Sequence, residues 1–121
     1  MPEIINGQIL VHSKTEHGFT ITWDKNISEE EIIYECYILD SEKDYYQILG
    51  NYVATINLNM SFNYIVLKER YNSIIKIYRT DFNYIIVDDL NENTNYFIAI
   101  FEWNPSNNNI RRYEITEAST K

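Results

Sequence analysis

Leu90-Asn91-Glu92-Asn93-Thr94-Asn95-Tyr96-Phe97-Ile98-Ala99-Ile100 is the stretch on which the reading of this chain turns. A leucine closes one apolar run, an Asn-rich bend follows, and a threonine and a tyrosine open an alternating run. The pattern predicts strand, polar bend, strand. The spacing also lets the Tyr96 ring enter a core while its hydroxyl turns back to bond the backbone a few residues upstream.

Reading outward, residues 82–88 lead into the bend as a strand and 95–103 leave it as another. After the loop Asn104-Pro105-Ser106-Asn107-Asn108-Asn109, residues 111–116 are expected to close the domain. Upstream, residues 3–11 read as a first strand broken near Asn6-Gly7. In 18–24, Phe19, Ile21 and Trp23 alternate with Thr20, Thr22 and Asp24, the mark of a half-buried strand. A polar loop over 25–31 precedes a strand at 32–39, where Tyr34, Cys36 and Ile38 share a face. Residues 61–69 and 74–79 are expected to be strands flanking a hairpin turn, Arg70-Tyr71-Asn72-Ser73. Helix finds little support; its best stretch is 44–54, short and carrying Gly50.

Together Trp23, Tyr34, Leu90, Thr94 and Tyr96 resemble the core landmarks of a fibronectin type III domain, an immunoglobulin-like β-sandwich, over roughly residues 1–44 and 74–121. The resemblance implies an all-β fold made of one domain spanning 1–121. Two departures stand out. Glu92 and Asn93 occupy positions where the family often has proline and glycine. The 56 residues from Tyr34 to Leu90 are about twice the usual separation, which implies a central insertion of about 25–30 residues of extra strands or a short helix. One register places it within 40–73; another takes Phe62-Asn63-Tyr64-Ile65-Val66-Leu67 as the third strand and puts the extra segment at 27–60. The first is preferred because Trp23 to Tyr34 already has the right length.

Composition agrees with β-structure. Twenty isoleucines and eleven tyrosines suit a pleated, half-buried surface, and fifteen asparagines stand in for the few turn glycines and prolines. A net charge of −8 argues against a nucleic-acid partner, since phosphate contacts need a basic footprint. That charge is uneven: residues 24–44 carry −6, whereas 45–80 carry +3 from Lys68, Arg70, Lys76 and Arg79 against Glu69 alone. Cys36 is the sole cysteine, so no intrachain disulfide forms, and as an inward residue it reads as a small core hydrophobe. The sequence contains no signal peptide or apolar run of membrane-spanning length, so no membrane insertion is expected. The compartment stays open, with the resemblance leaning toward the outside of a cell.

Strand parity raises a problem that an ordinary sandwich does not have. With Tyr96, Ile98 and Ile100 turned inward, Phe97, Ala99, Phe101 and Trp103 turn outward. Likewise Ile33, Tyr37 and Leu39 oppose Tyr34, Cys36 and Ile38, and Tyr84 and Ile86 oppose Ile85 and Val87. So large an outward apolar surface needs a cover. Either the insertion folds back over it, or it is an interface for another protein, a neighbouring domain or a second copy. On the second view Phe97, Phe101, Trp103 and Tyr37 are binding residues. Tyr64, Lys68 and Arg70 share one strand parity, as do Lys76 and Tyr78, and together they would form an aromatic-basic surface for an acidic protein or glycan. The competing explanation is a charged edge hairpin that resists unwanted pairing.

No catalytic constellation is evident. His12, His17 and Cys36 lack metal-ligand spacing, and no phosphate loop or nucleophile elbow occurs. Glu29-Glu30-Glu31 with Asp24 offers oxygens to a hard cation, but loop carboxylates are usually solvated, and no metal or cofactor is assigned. Asn26-Ile27-Ser28 and Asn59-Met60-Ser61 match the glycosylation sequon at close to chance frequency. The expected function is therefore a non-enzymatic protein-interaction or spacer module of a larger protein or assembly. The alternative is a carbohydrate-type ligand-binding accessory module, in which exposed rings stack on sugars.

Overall fold

Alternation decides which side of each strand is buried, and two sheets result. The computed structural model describes residues 3–4, 8–25 and 31–121. The first sheet contains β1 (Glu3–Ile4), β4 (Ile33–Leu39), β5 (Ile74–Thr80), β7 (Asn95–Asn104), β8 (Asn109–Arg112) and β9 (Thr116–Ser119). Its order is β1-β8-β7-β4-β5, with β9 also pairing with β7. The second sheet is β2-β3-β6, from β2 (Ile9–His12), β3 (Phe19–Trp23) and β6 (Tyr84–Val87). Apart from the parallel β1–β8 pair, the pairings are antiparallel.

The core between the sheets is built from inward residues of both: Phe19, Ile21 and Trp23 on β3, Ile85 and Val87 on β6, Tyr34, Cys36 and Ile38 on β4, and Tyr96, Ile98 and Ile100 on β7. Trp23 meets Tyr34 edge-on at 5.3 Å between centroids, a favoured aromatic geometry. Tyr96 is buried, and its hydroxyl oxygen accepts a hydrogen bond from the Asn91 backbone N–H at 2.9 Å. The corner expected from the spacing is thus present. Asn93 takes the left-handed conformation (φ 48°) that the bend requires, one that asparagine tolerates better than most residues.

Between β4 and β5 lie two helices, α1 (Tyr45–Asn57) and α2 (Tyr64–Arg70). In α1, Tyr45, Ile48, Leu49, Tyr52 and Ile56 recur at helical spacing and are all buried. The sequence reading of 61–69 as a strand is corrected here. The Asn63 side chain accepts from the Val66 N–H at 3.2 Å and caps α2. Leu67 turns under the helix, while Lys68 and Arg70 sit in its last turn, where cations suit the helix dipole. Residues 70–73 therefore link a helix to β5 and form no hairpin. The register that made Phe62–Leu67 a third strand is likewise replaced, because β4 holds that place beside β7.

The last expected strand, 111–116, is instead two. Phe101 faces Arg112 on β8, but Ile98 faces Thr116 on β9, so the chain holds one more residue than the partner strand between those pairs. Tyr113 occupies this offset with its ring buried and its hydroxyl donating to the Asp24 carbonyl. The expected features at Asn6-Gly7, the 25–31 loop, the Asn26 sequon and the Glu29 and Glu30 carboxylates fall, wholly or in part, outside the described residues.

Candidate functional site

The sandwich has two outer faces, and the sequence treats them differently. Over the larger sheet, α1 and α2 enclose a second apolar core containing Tyr37, Leu39, Ala99, Phe101, Ile110, Tyr45, Ile48, Leu49, Tyr52 and Leu67. Phe101 is 0% exposed and Tyr37 1%, where the interface reading had them open to a partner. The Phe101 ring lies 5.2 Å from Tyr52, 5.4 Å from Tyr37 and 6.0 Å from Tyr45. The insertion is the cover. Phe97 and Trp103 are half-buried at the margin of the same core, and the Trp103 indole N–H donates to Asn108 Oδ1 at 3.2 Å.

Within this layer one polar cluster is buried. Glu35, on the outward side of β4, is fully buried and accepts from the Tyr37 hydroxyl and, at 2.9 Å, from the Tyr64 hydroxyl. Arg79, directly opposite on β5, reaches it at 3.4 Å. The Arg79 guanidinium lies over the Phe62 ring at 4.8 Å and within 5.6 Å of the Trp103 ring centre. Burial raises the Glu35 pKa above the usual carboxylate range, and the two tyrosine hydrogen bonds and Arg79 offset this only in part. Burial likewise raises the Tyr37 pKa, and the adjacent Glu35 charge adds to the shift. The cluster ties α2 and the edge strand β5 to β4.

The remaining expected site residues do not converge. Tyr64 is half-buried toward Glu35, while Lys68 and Arg70 are exposed on α2. Lys76 and Tyr78 pair with Ile38 and Cys36, so they belong to the inward side of β5, opposite the helices. There Lys76 approaches Asp88 at 3.9 Å, and burial pushes the Tyr78 pKa up to about 12. The expected single aromatic-basic surface is thus divided between two sides of one strand, because 61–69 is helical.

The other outer face, on β2, β3 and β6, is bare. The pairings Leu10↔Thr22↔Tyr84 and His12↔Thr20↔Ile86 lay out its two rows. Ile86 is 65% exposed, Leu10 54% and Tyr84 52%, with the exposed Phe82 ring tilted against Tyr84 at 6.4 Å between centroids. Exposed acids flank the face: Asp24 and Asp81 at one end, Asp88 and Asp89 at the other. The outward parity of Tyr84 and Ile86 was legible in sequence. Leu10 joins them from β2, and its place between Ile9 and Val11 on a short strand is the signal for it.

Chemistry finds little to work with. Among the described residues no group of three His, Cys, Asp or Glu is disposed to hold a metal, and no helix is long and apolar enough to cross a membrane. A cleft of about 190 Å³ lies between the start of α1 and β8, lined by Glu42, Tyr45, Tyr46, Arg112, Glu114 and Ile115. Its Arg112 is occupied, donating to the Tyr45 hydroxyl at 3.3 Å and lying 5.9 Å from the centres of both tyrosine rings.

No protein-family model matches the chain, and no curated protein matches it. Solved structures do. A structure described as a myokine matches with a TM-score of 0.57 at 14% identity, covering 99% of this chain and 98% of that one. The fibronectin type III domain of human fibronectin type III domain containing protein 3 matches at 0.57 and 14%, covering 98% and 85%. Domains d3–d4 of the rat CD45 extracellular region match at 0.61 and 14%; the alignment covers 98% of this chain but 49% of that one. At this identity the likeness is one of fold. The chain has the fibronectin type III fold, an immunoglobulin-like β-sandwich, with a helical insertion between β4 and β5.

Proposed function

We propose that this chain is a non-enzymatic protein-interaction module of a larger protein or assembly, and that it makes contact through the bare outer face of β2, β3 and β6. The carrying observation is the asymmetry of the two faces. The chain spends an insertion to cover one apolar sheet face and leaves Leu10, Tyr84 and Ile86 uncovered on the other. Tyr84 and Ile86 follow one another along β6, with Leu10 across the threonines of β3, and exposed apolar side chains grouped within a polar rim are characteristic of protein contact surfaces. The fold itself hosts binders and spacers alike, so the site carries the argument. Lys68 and Arg70 on α2 offer a second, oppositely charged contact region.

The glycan-binding alternative draws less support, because the Trp103 indole is engaged by Asn108 and lies beside Arg79. Quenching of Trp103 fluorescence on glycan titration would favour it.

The test is site-specific photocrosslinking in cells that make the protein, with a benzophenone side chain at Tyr84 and, as control, at exposed Asn107. Protein adducts at 84 and none at 107 are expected. Absence of adducts at 84, or adducts confined to the control, would overturn the assignment and leave a spacer.

A further inference from the structure

The two exposed apolar regions lie on opposite sides of the sandwich and carry opposite charge. The first is the bare sheet face, with Leu10, Tyr84 and Ile86 framed by Asp24, Asp81, Asp88 and Asp89. These aspartates outnumber Lys25, which donates to the Asp81 carbonyl, and Lys76, 3.9 Å from Asp88. The second is the outward side of α2 and the turn before it. Ile65 is 74% exposed and Val66 44%, beside exposed Leu58 and Met60. The charges there are Lys68 and Arg70 against Glu69. The neighbouring helix α1, Tyr45–Asn57, contains no charged residue at all, although charged residues make up 23% of the chain. A solvated helix ordinarily carries charge on its outer side. Here the α1 part of the helical layer can be approached without burying an unpaired ion, a step that would be costly.

We infer that copies of this chain stack head to tail, with the α2 side of one copy docked on the bare β2-β3-β6 face of the next. Leu10, Tyr84 and Ile86 meet Ile65 and Val66 on either side of Thr20 and Thr22, and Lys68 and Arg70 meet the aspartates at the ends of the face. Pairing two identical sheet faces would set aspartates against aspartates, and pairing two α2 sides would set cations against cations. Charge therefore selects the heterologous contact over either symmetric one. Because the two surfaces lie on opposite sides, each copy can accept one neighbour and offer itself to another, giving an open series rather than a closed dimer. The inference rests on the interaction reading of the bare face and names a second copy as its occupant.

Sedimentation equilibrium on the whole chain tests it with two single variants at exposed positions, Ile86→Asp on the sheet face and Ile65→Asp on α2. Both should keep the wild-type circular dichroism spectrum. Wild-type average mass is expected to rise with concentration past that of a dimer. The rise should weaken as salt increases from about 0.05 to about 0.5 M, because rim charges are screened. Each variant alone should associate at least tenfold more weakly. Mixed together they should recover a heterodimer and stop there, since Ile86→Asp retains an intact α2 side and Ile65→Asp an intact sheet face.

Three results would overturn the inference: a wild type that stays monomeric to about 1 mM, an Ile65→Asp variant that associates like the wild type, or a mixture that forms no heterodimer. A monomeric wild type whose position 84 still crosslinks to another protein would remove the stacking and keep the interaction module.

Discussion

The two outer faces of this sandwich begin from similar strand patterns and end in different environments. On β7, outward Ala99 and Phe101 are sealed beneath α1; on β6, outward Tyr84 and Ile86 meet solvent. What separates them is the chain between β4 and β5. The covered face has become a second core, where shape is constrained by packing on every side. The bare face keeps its apolar residues between threonines, which is an arrangement that water tolerates and a partner can use.

The largest break in this comparison should come from Phe101→Ala. Removing a fully buried ring that touches three tyrosines is expected to cost about 3–5 kcal/mol in urea unfolding. A loss below about 1 kcal/mol would mean that the helices do not seal the face. Tyr96→Phe, in the core between the sheets, should cost about 1 kcal/mol by deleting the acceptor of the Asn91 N–H. It calibrates how much one hydrogen bond at the corner contributes beside the packing.

Glu35 sharpens the contrast through pH. Its folded-state pKa is raised by burial, so its contribution to stability is fully present below the ordinary value of 4.5 and is lost as pH rises through the raised folded value. Glu35→Gln should lack this dependence. The wild type minus variant difference in unfolding free energy should therefore fall as pH rises from about 4.5 toward neutrality. A difference that grows over that range would mean the carboxylate is held mainly by Arg79 and the tyrosines. The smallest effect belongs to the bare face: Ile86→Ser should change stability by no more than about 0.5 kcal/mol.

Much of this was legible in the residues. The run from Leu90 to Ile100 and the alternation ending at Trp23 identified the sandwich, because a corner tyrosine and an inward tryptophan leave little freedom in parity. Apolarity on both sides of β4 and β7 required a cover, and 44–54 held the start of the helix that supplies most of it. The second helix was hidden. Tyr64-Ile65-Val66-Leu67 is a short run of residues that favour strands, and its helical character comes from the Asn63 cap and from Leu67 packing into the second core rather than from propensity. Reading that run as a strand also placed Tyr64, Lys68 and Arg70 beside Lys76 and Tyr78, from which β5 separates them. Sequence could not show which outward face the insertion would choose; that depends on where its ends leave β4 and β5.

Solvent paramagnetic relaxation of the methyl groups, with a soluble gadolinium chelate and the Ile65→Asp variant, which keeps both sheet faces but cannot stack, tests the asymmetry most directly. The Leu10 and Ile86 methyls should be strongly attenuated while those of Leu39, Ile48 and Ala99 are spared. Equal attenuation on the two faces, or protection of Ile86 alongside exposure of Ala99, would contradict the account.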